Sequence, residues 1–301
     1  MQPRVKKVWQ QVDGVLLLDK SLGMSSNDAL QKARRLFSAA KGGHTGTLDP
    51  LATGLLPLCF GEATKFSADL LDADKTYEAE LRLGVVTDSG DAEGTVLSTS
   101  TVDVRESDIL PVLQALTGNI LQVPPMHSAL KRDGRPLYEL ARQGIVVERE
   151  ARPVTIHAIE LHEFAGDRLR ISVSCSKGTY IRVLAMDIGA ALGCGAHLTA
   201  LRRTRVGDLV LDRALTLAAI EAIEEAARPA SLQPVDALLQ SLPRVDLDGE
   251  AESRFSHGNP VDLPAGLAGK IRVYAGGRLL GVGEPGAGGR LWPKRLVQLA
   301  A

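Results

Sequence analysis

Residues 42–66 read GGHTGTLDPLATGLLPLCFGEATKF. A polar, glycine-rich turn leads to a single acid, Asp49, which stands at the mouth of the apolar run Leu51 to Phe60. Pro50 restricts Asp49 to extended backbone conformations and so helps to fix the aim of its side chain. Two readings are open. A solvated acid in an Asp-Pro turn is the ordinary one, and from this stretch alone it is the favourite. The other is a carboxylate held dry for chemistry.

The flanking segments describe the sheet around this loop. GVLLLD (14–19) reads as a short buried strand. Ser25 then offers an N-cap with Asp28 three residues on, opening a helix that carries Leu30, Ala33, Leu36 and Phe37 on one face. Lys75 to Leu83 alternates strictly, with Tyr77, Ala79, Leu81 and Leu83 on one side and Thr76, Glu78, Glu80 and Arg82 on the other. TDSGDAEG (87–94) is turn-rich and returns the chain to a second strand. Val123-Pro-Pro-Met opens an excursion with the polar KRDGRP and the helix-like LYELARQG, ending near Arg152. Arg170 to Ser176 alternates again, KGTY makes a strand-to-helix turn, and Ile181, Leu184, Ala185 and Ile188 continue at helical spacing. A further helix is expected over about 216–227. Pro229, Pro234 and Pro243 then mark a linker-like stretch, and the last 60 or so residues carry short alternating strands among glycines, the pattern of a small all-β barrel. Strands and helices without regular βαβ repeats predict an α+β fold with a mixed, mostly antiparallel sheet.

Composition narrows the function. The chain of 301 residues suits one large domain and one small one, and 45% hydrophobic with 24% charged residues is ordinary for a globular protein. Cys59, Cys175 and Cys194 are far apart, with no ligand spacing and no disulfide framework. The N-terminus lacks the apolar core of a signal peptide and no run approaches a membrane span, so a cytoplasmic location is expected. The net charge of −1 conceals segregation: residues 1–41 hold eight Lys/Arg against three Asp/Glu, residues 253–301 seven against two, and residues 221–252 two against eight. A polyanion feels such patches rather than the total, although charge runs are more often solvated faces. There is no P-loop, dinucleotide fingerprint, HExxH or GxSxG. His44, His127 and His197 are too scattered for metal ligands and are expected to be surface or packing histidines.

GGHTGTLDPLATGLLPLCFGEATKF resembles the signature of the TruB family, the bacterial tRNA pseudouridine-55 synthases. The resemblance continues, in the family's order, through GVLLLDKSLGMSSNDALQKARR, LLDADKTYEAELRLGVVTDSGDAEG, VPPMHSALKRDGRPLYELARQG and CSKGTYIRVLAMDIGAALGCGAHLTALRRTRVG, covering most of residues 13–207. The tail from about Leu242 is similar to a PUA-type RNA-binding barrel. The sequence departs from the family pattern at Ser21, where proline is common, and at His127, where an aromatic is common.

The resemblance implies a pseudouridine-synthase fold over 1–241, with an RNA-contacting insertion at about 123–152, and a PUA-like domain over 242–301. It implies isomerisation of uridine 55 in the T loop of tRNA, with Asp49 as the nucleophile and Arg182 as its ionic partner. His44, Tyr77, Tyr180 and Leu201 are implied as substrate contacts: Tyr77 stacks on the flipped base and His44 fills the space it leaves. Structural roles stand beside these: Tyr77 as the aromatic closing its strand face, Tyr180 and Leu201 as core, His44 as a turn histidine. Arg202, Arg203 and Arg205, with Lys131, Arg132 and Arg135 on the excursion, would suit phosphates. The reaction transfers no electrons and no external group, so no cofactor and no metal are expected. The expected partner is the T arm of tRNA, with no membrane and with a monomer as the working unit. Two other classes stand beside this one: an RNA-binding or RNA-folding protein without catalysis, and a glycoside-type hydrolase, which would need a second carboxylate where none is expected.

Overall fold

The computed structural model describes residues 8–128, 130–132, 134–262 and 266–298. Its main element is a nine-stranded sheet. Along it lie, in order, Gly14–Lys20, Ala52–Phe60, Ala196–Val206, Lys75–Leu83, Arg168–Cys175, Arg152–Ala165 and Gly118–Gln122, with the short strands Gly42–His44 and Leu209–Val210 added at the side. Every pairing is antiparallel except that of Ala52–Phe60 with Ala196–Val206, where Leu201 stands opposite Ala52. The α+β, mostly antiparallel expectation holds.

The apolar run in the first strand has a direct cause: both of its faces are covered. Leu16 and Leu18 meet the helices, sharing a core with Leu30 and Ala33 of helix Ser26–Leu36 and Leu184 and Ile188 of helix Ile181–Ala191. Val15 and Leu17 face the other way, into a second core with Leu55, Phe66, Val235, Leu238 and Leu239. Lys75–Leu83 has a partner layer on one side only. Its Ala79, Leu81 and Leu83 are buried while Glu78 and Arg82 are exposed, which is the alternation that the sequence displays.

The second core crosses between domains. Residues Arg244–Leu296 build a five-stranded sheet whose Tyr274, Leu279 and Val282 are buried against Val235, Leu238 and Leu239. Lys65 donates to Leu296 O at 2.9 Å, the Gln298 amide donates to Glu62 at 2.8 Å, and Lys270 pairs with Asp69. The stretch read as a linker is therefore a packed seam. Its prolines punctuate two 3-10 turns, Glu225–Ser231 and Val235–Leu239, rather than a flexible tether. The helix expected over 216–227 is also shorter, Leu217–Ala222, because Ile223 is extended (φ −74°, ψ 134°) and Arg228 takes carbonyls from Leu36, Glu221 and Ile223. The excursion holds a small ladder, Lys131–Arg132 with Arg135–Pro136, and helix Leu137–Arg142, whose Leu137 and Leu140 are buried.

A core shared in this way ties the two sheets together thermodynamically. Leu239 is fully buried in it, and Leu239→Ala is expected to cost ~2–5 kcal/mol. In a Trp9→Phe background, where Trp292 in the C-terminal sheet is the sole indole, circular dichroism and tryptophan emission should melt in one coincident transition with and without Leu239→Ala. Separate transitions, with only the C-terminal one shifted, would contradict a shared core.

Candidate active site

Asp49 lies in a loop pinned on all sides. Ser26, the first residue of its helix, receives the Leu48 amide at 2.8 Å and donates its own hydroxyl to Leu48 O at 3.0 Å. Gly23 N binds Pro50 O at 2.9 Å, and Ala52 N closes on Asp49 O at 3.0 Å. The helix itself is fixed by its N-cap, Ser25 Oγ accepting the Asp28 amide at 3.1 Å. The capped helix therefore sets the position of the acid.

Helix Ile181–Ala191 brings Arg182 to meet it. Arg182 Nε stands 3.0 Å from Asp49 Oδ2 and 3.5 Å from Asp91 Oδ2. Its remaining nitrogens donate to His127 O at 2.7 Å and Ser89 O at 3.3 Å. Asp91 is buried and held in turn, accepting from Ser89 Oγ at 2.6 Å and Glu93 N at 3.1 Å. One guanidinium thus joins four segments of chain.

Asp49 and Arg182 border two cavities. The outer cleft, about 660 Å³, reaches Ser25, His44, Asp88 and Tyr138. The inner cavity, about 270 Å³, has Tyr77, Tyr180, Ile181 and Leu201 in its wall. Aromatic and aliphatic side chains in the wall, with an acid at its border, suit one planar heterocycle.

Comparisons with known proteins follow the same outline. The TruB family pseudouridylate synthase N-terminal domain matches residues 34–181, the tRNA pseudouridylate synthase B C-terminal domain 182–240, and the pseudouridine synthase II TruB C-terminal domain 243–297. A tRNA pseudouridine synthase B of Dechloromonas aromatica is 74% identical over 98% of this chain and 99% of its own length. The chain belongs to the TruB family of pseudouridylate synthases. A second relative with that name, from Aromatoleum aromaticum, is 60% identical over 96% of this chain and 94% of its own. Among solved structures, a Cbf5-Nop10-Gar1 complex is similar at TM-score 0.70 and 30% identity, over 90% of this chain and 78% of that one. An archaeal box H/ACA Nop10-Cbf5 complex is similar at TM-score 0.71 and 25% identity, over 98% of this chain and 88% of that one. The pseudouridine-synthase fold with a PUA-like C-terminal sheet is thereby established.

Of the residues expected in a TruB site, six converge here. His44 ends the short strand Gly42–His44 and borders the outer cleft; its Nδ1 is buried without a hydrogen-bond partner among the described residues, and burial followed by the Arg203 charge holds its pKa below the usual histidine value. Tyr77 faces Arg203, and burial raises the pKa of its phenol. Tyr180 is held by its backbone, its amide donating to Gln122 Oε1 at 3.0 Å. Leu201 is both core and cavity wall, so its two readings coincide.

The arginine cluster departs from expectation. Arg203 is buried, donating to Leu55 O at 2.8 Å and Gly46 O at 3.4 Å, and so offers nothing to phosphates. Gly54 admits it: with φ +97°, a Cβ there would stand 2.3 Å from Arg203 O. Arg202 holds Asp19 through two nitrogens, at 2.8 and 3.1 Å. Arg205 is exposed.

Two further residues were missed. The expectation of no second carboxylate is overturned by Asp91, which reads as a turn residue in TDSGDAEG but folds inward onto Arg182. It borders the outer cleft, but at 3% exposure, with its oxygens engaged by Ser89, Glu93 and Arg182, it anchors the arginine. Lys20 is likewise buried, donating to Met24 O at 2.7 Å and Ser21 O at 3.0 Å; burial above all pushes its pKa down to about 8, against the pull of Asp49. A charged residue ending a run of buried leucines was the available signal for it.

Burial is also the largest influence on Asp49. It raises the carboxyl pKa above the ordinary aspartate value, Arg182 opposes it, and Asp91 adds to it. The side chain keeps 39% of its surface open toward the cavities, yet protein stands close enough around it to strip much of its hydration. For an acid, a raised folded-state pKa means that the native protein holds the proton more tightly than the unfolded chain. This group's contribution to stability then falls as pH rises from the usual carboxylate range through the raised pKa, and stays low above it. Asp49→Asn is therefore expected to raise the melting temperature at pH 7, with the gain vanishing below about pH 4. A melting temperature lowered at pH 7 would contradict this electrostatic picture.

Proposed function

We propose that the chain isomerises uridine 55 in the T loop of tRNA to pseudouridine, with Asp49 as nucleophile and Arg182 as the partner that aims it. The observation that carries this reading is the Asp49–Arg182 contact at 3.0 Å, set at the mouth of a cavity of about 270 Å³ with Tyr77 and Leu201 in its wall. For its base to reach the inner cavity the target uridine leaves its stack, at a cost of a few kcal/mol. Tyr77 offers a ring on which the flipped uracil stacks. The neutral His44 imidazole lies at the cleft where the loop closes over the vacated space. Tyr180 and Leu201 complete the walls.

The reaction breaks the C1′–N1 bond and forms C1′–C5; the C5 hydrogen leaves as a proton and N1 takes one up. No electron is gained or lost, so this chemistry calls for no cofactor or metal. Attack by the carboxylate at the ribose C1′ and attack at the uracil C6 both use the same ionised oxygen. The insertion at 123–152, with Lys131, Arg132 and Arg135 exposed, and the C-terminal unit from 242 onward are assigned to RNA contact. A pure RNA binder would gain nothing from an acid placed where its own charge is disfavoured and where polyanion phosphates approach.

The test is tritium release from tRNA labelled at uridine C5, with the modified position mapped afterwards. One tritium should be freed per pseudouridine formed, at position 55, by the isolated monomeric chain without added metal. Binding without release would leave a non-catalytic RNA binder, and free uracil would indicate a hydrolase.

A further inference from the structure

We infer that Trp9, backed by Arg34, is a stacking platform for an unpaired nucleobase of the tRNA outside the loop that carries the target uridine; this rests on the reading of tRNA as substrate. The Arg34 guanidinium carbon lies over the Trp9 ring, 5.0 Å from its centroid, and Trp9 nonetheless keeps 45% of its surface in solvent. An indole that served only as a lid on the core would turn that surface inward.

Both partners of the stack are held before any ligand arrives. The backbone beside Trp9 is fixed on two sides: Gln10 N donates to Ser38 O at 2.7 Å and Ala40 N to Gln10 O at 2.9 Å. Arg34 donates to Ala39 O at 3.3 Å, Ala40 O at 2.8 Å and Gln31 Oε1 at 3.1 Å. Gly42, at the head of the Asp49 loop, leaves room for the Arg34 stem, since a Cβ there would lie 2.8 Å from Arg34 Cδ. A ring whose position costs no further ordering binds a base more tightly than a mobile one.

The surroundings select the ligand class. Lys41, exposed, follows the turn that Arg34 closes through Ala39 O and Ala40 O, whereas Lys32 lies about 200° around the helix from Arg34. Cations beside an aromatic face are the combination that tracks a nucleic-acid backbone while stacking its bases. The position excludes the target itself. The N-terminal end of the same helix, Ser25 to Asn27, borders the cleft at Asp49, and Arg34 lies seven residues on, roughly 10 Å along the axis. The nucleobase taken by Trp9 is therefore not the target uridine, and its assignment to another part of the folded tRNA is what the hairpin comparison tests. Stacking reads no sequence, so the platform adds affinity for the tRNA fold rather than choosing the uridine.

The sequence has two tryptophans, so Trp292→Phe leaves Trp9 as the only indole emitter. In that protein, full-length tRNA should quench the emission, whereas a T-arm hairpin bearing the target uridine should be isomerised without quenching it. Trp9→Ala should raise the Kd for full-length tRNA by about 5- to 150-fold, leaving kcat and the Kd for the hairpin unchanged, and Trp9→Phe should restore most of the affinity. Equal tRNA affinity in Trp9→Ala and the parent, or no quenching by tRNA, overturns the inference while leaving the isomerase reading intact. Equal quenching by hairpin and tRNA overturns its placement outside the target loop. A parent protein that does not bind tRNA overturns both readings.

Discussion

A buried guanidinium must have its charge and its hydrogen bonds met, and the way Arg182 meets them organises this protein. At 4% exposure it stands between two carboxylates, Asp49 and Asp91, and two carbonyls, of Ser89 and His127. Those partners come from the Asp49 loop, the turn at 87–94 and the start of the insertion. Removing Asp91 would leave the arginine underpaired in a poorly solvated place, the costly way to break a buried ion pair, whereas burial already disfavours the charge of the half-open Asp49. The two acids are not equivalent. Asp91 is locked from behind, while Asp49 keeps one side open to the cavities. One arginine thus divides two like charges into a locked anchor and a half-open acid.

Lys20 and Arg203 extend the same device. Each is about 1% exposed and each spends its donors chiefly on main-chain carbonyls: Ser21 and Met24 for the lysine, Gly46 and Leu55 for the arginine. Charge-assisted bonds to carbonyls hold irregular loops that have no ladder of their own. Two of these buried cations, Arg182 and Lys20, lie close enough to Asp49 to limit the rise in its pKa that burial would otherwise impose.

Much of this was legible in the sequence where burial is one-sided. Lys75–Leu83 alternates because one face meets the helices and the other meets water, and its bounds were read correctly. Ser25 with Asp28 gave the helix start through a local cap that needs no tertiary context. The seam at 229–243 misled because Val235, Leu238 and Leu239 are buried by a domain distant in sequence, and prolines signal a break in regular structure without saying whether it is packed. Asp91 and Arg203 misled for a related reason: a polar residue in a turn or a basic run reads as surface, and only the fold turns it inward. The two departures from the family pattern leave the buried contacts of Lys20 and Arg182 in place, although His127 borders both cavities. At Ser21 and His127 the contacts to Lys20 and Arg182 are made by the backbone carbonyl, which any side chain would supply.

If Asp49 is the open acid that the rest of this framework serves, its charge and not its shape carries the reaction. Asp49→Asn preserves the shape and removes the charge. The deciding measurement is the rate of tritium release by this variant at saturating tRNA, taken beside its tRNA affinity and its melting curve. The account predicts a folded protein that binds tRNA like the parent and releases tritium at background. A folded Asp49→Asn protein with parental turnover would contradict it.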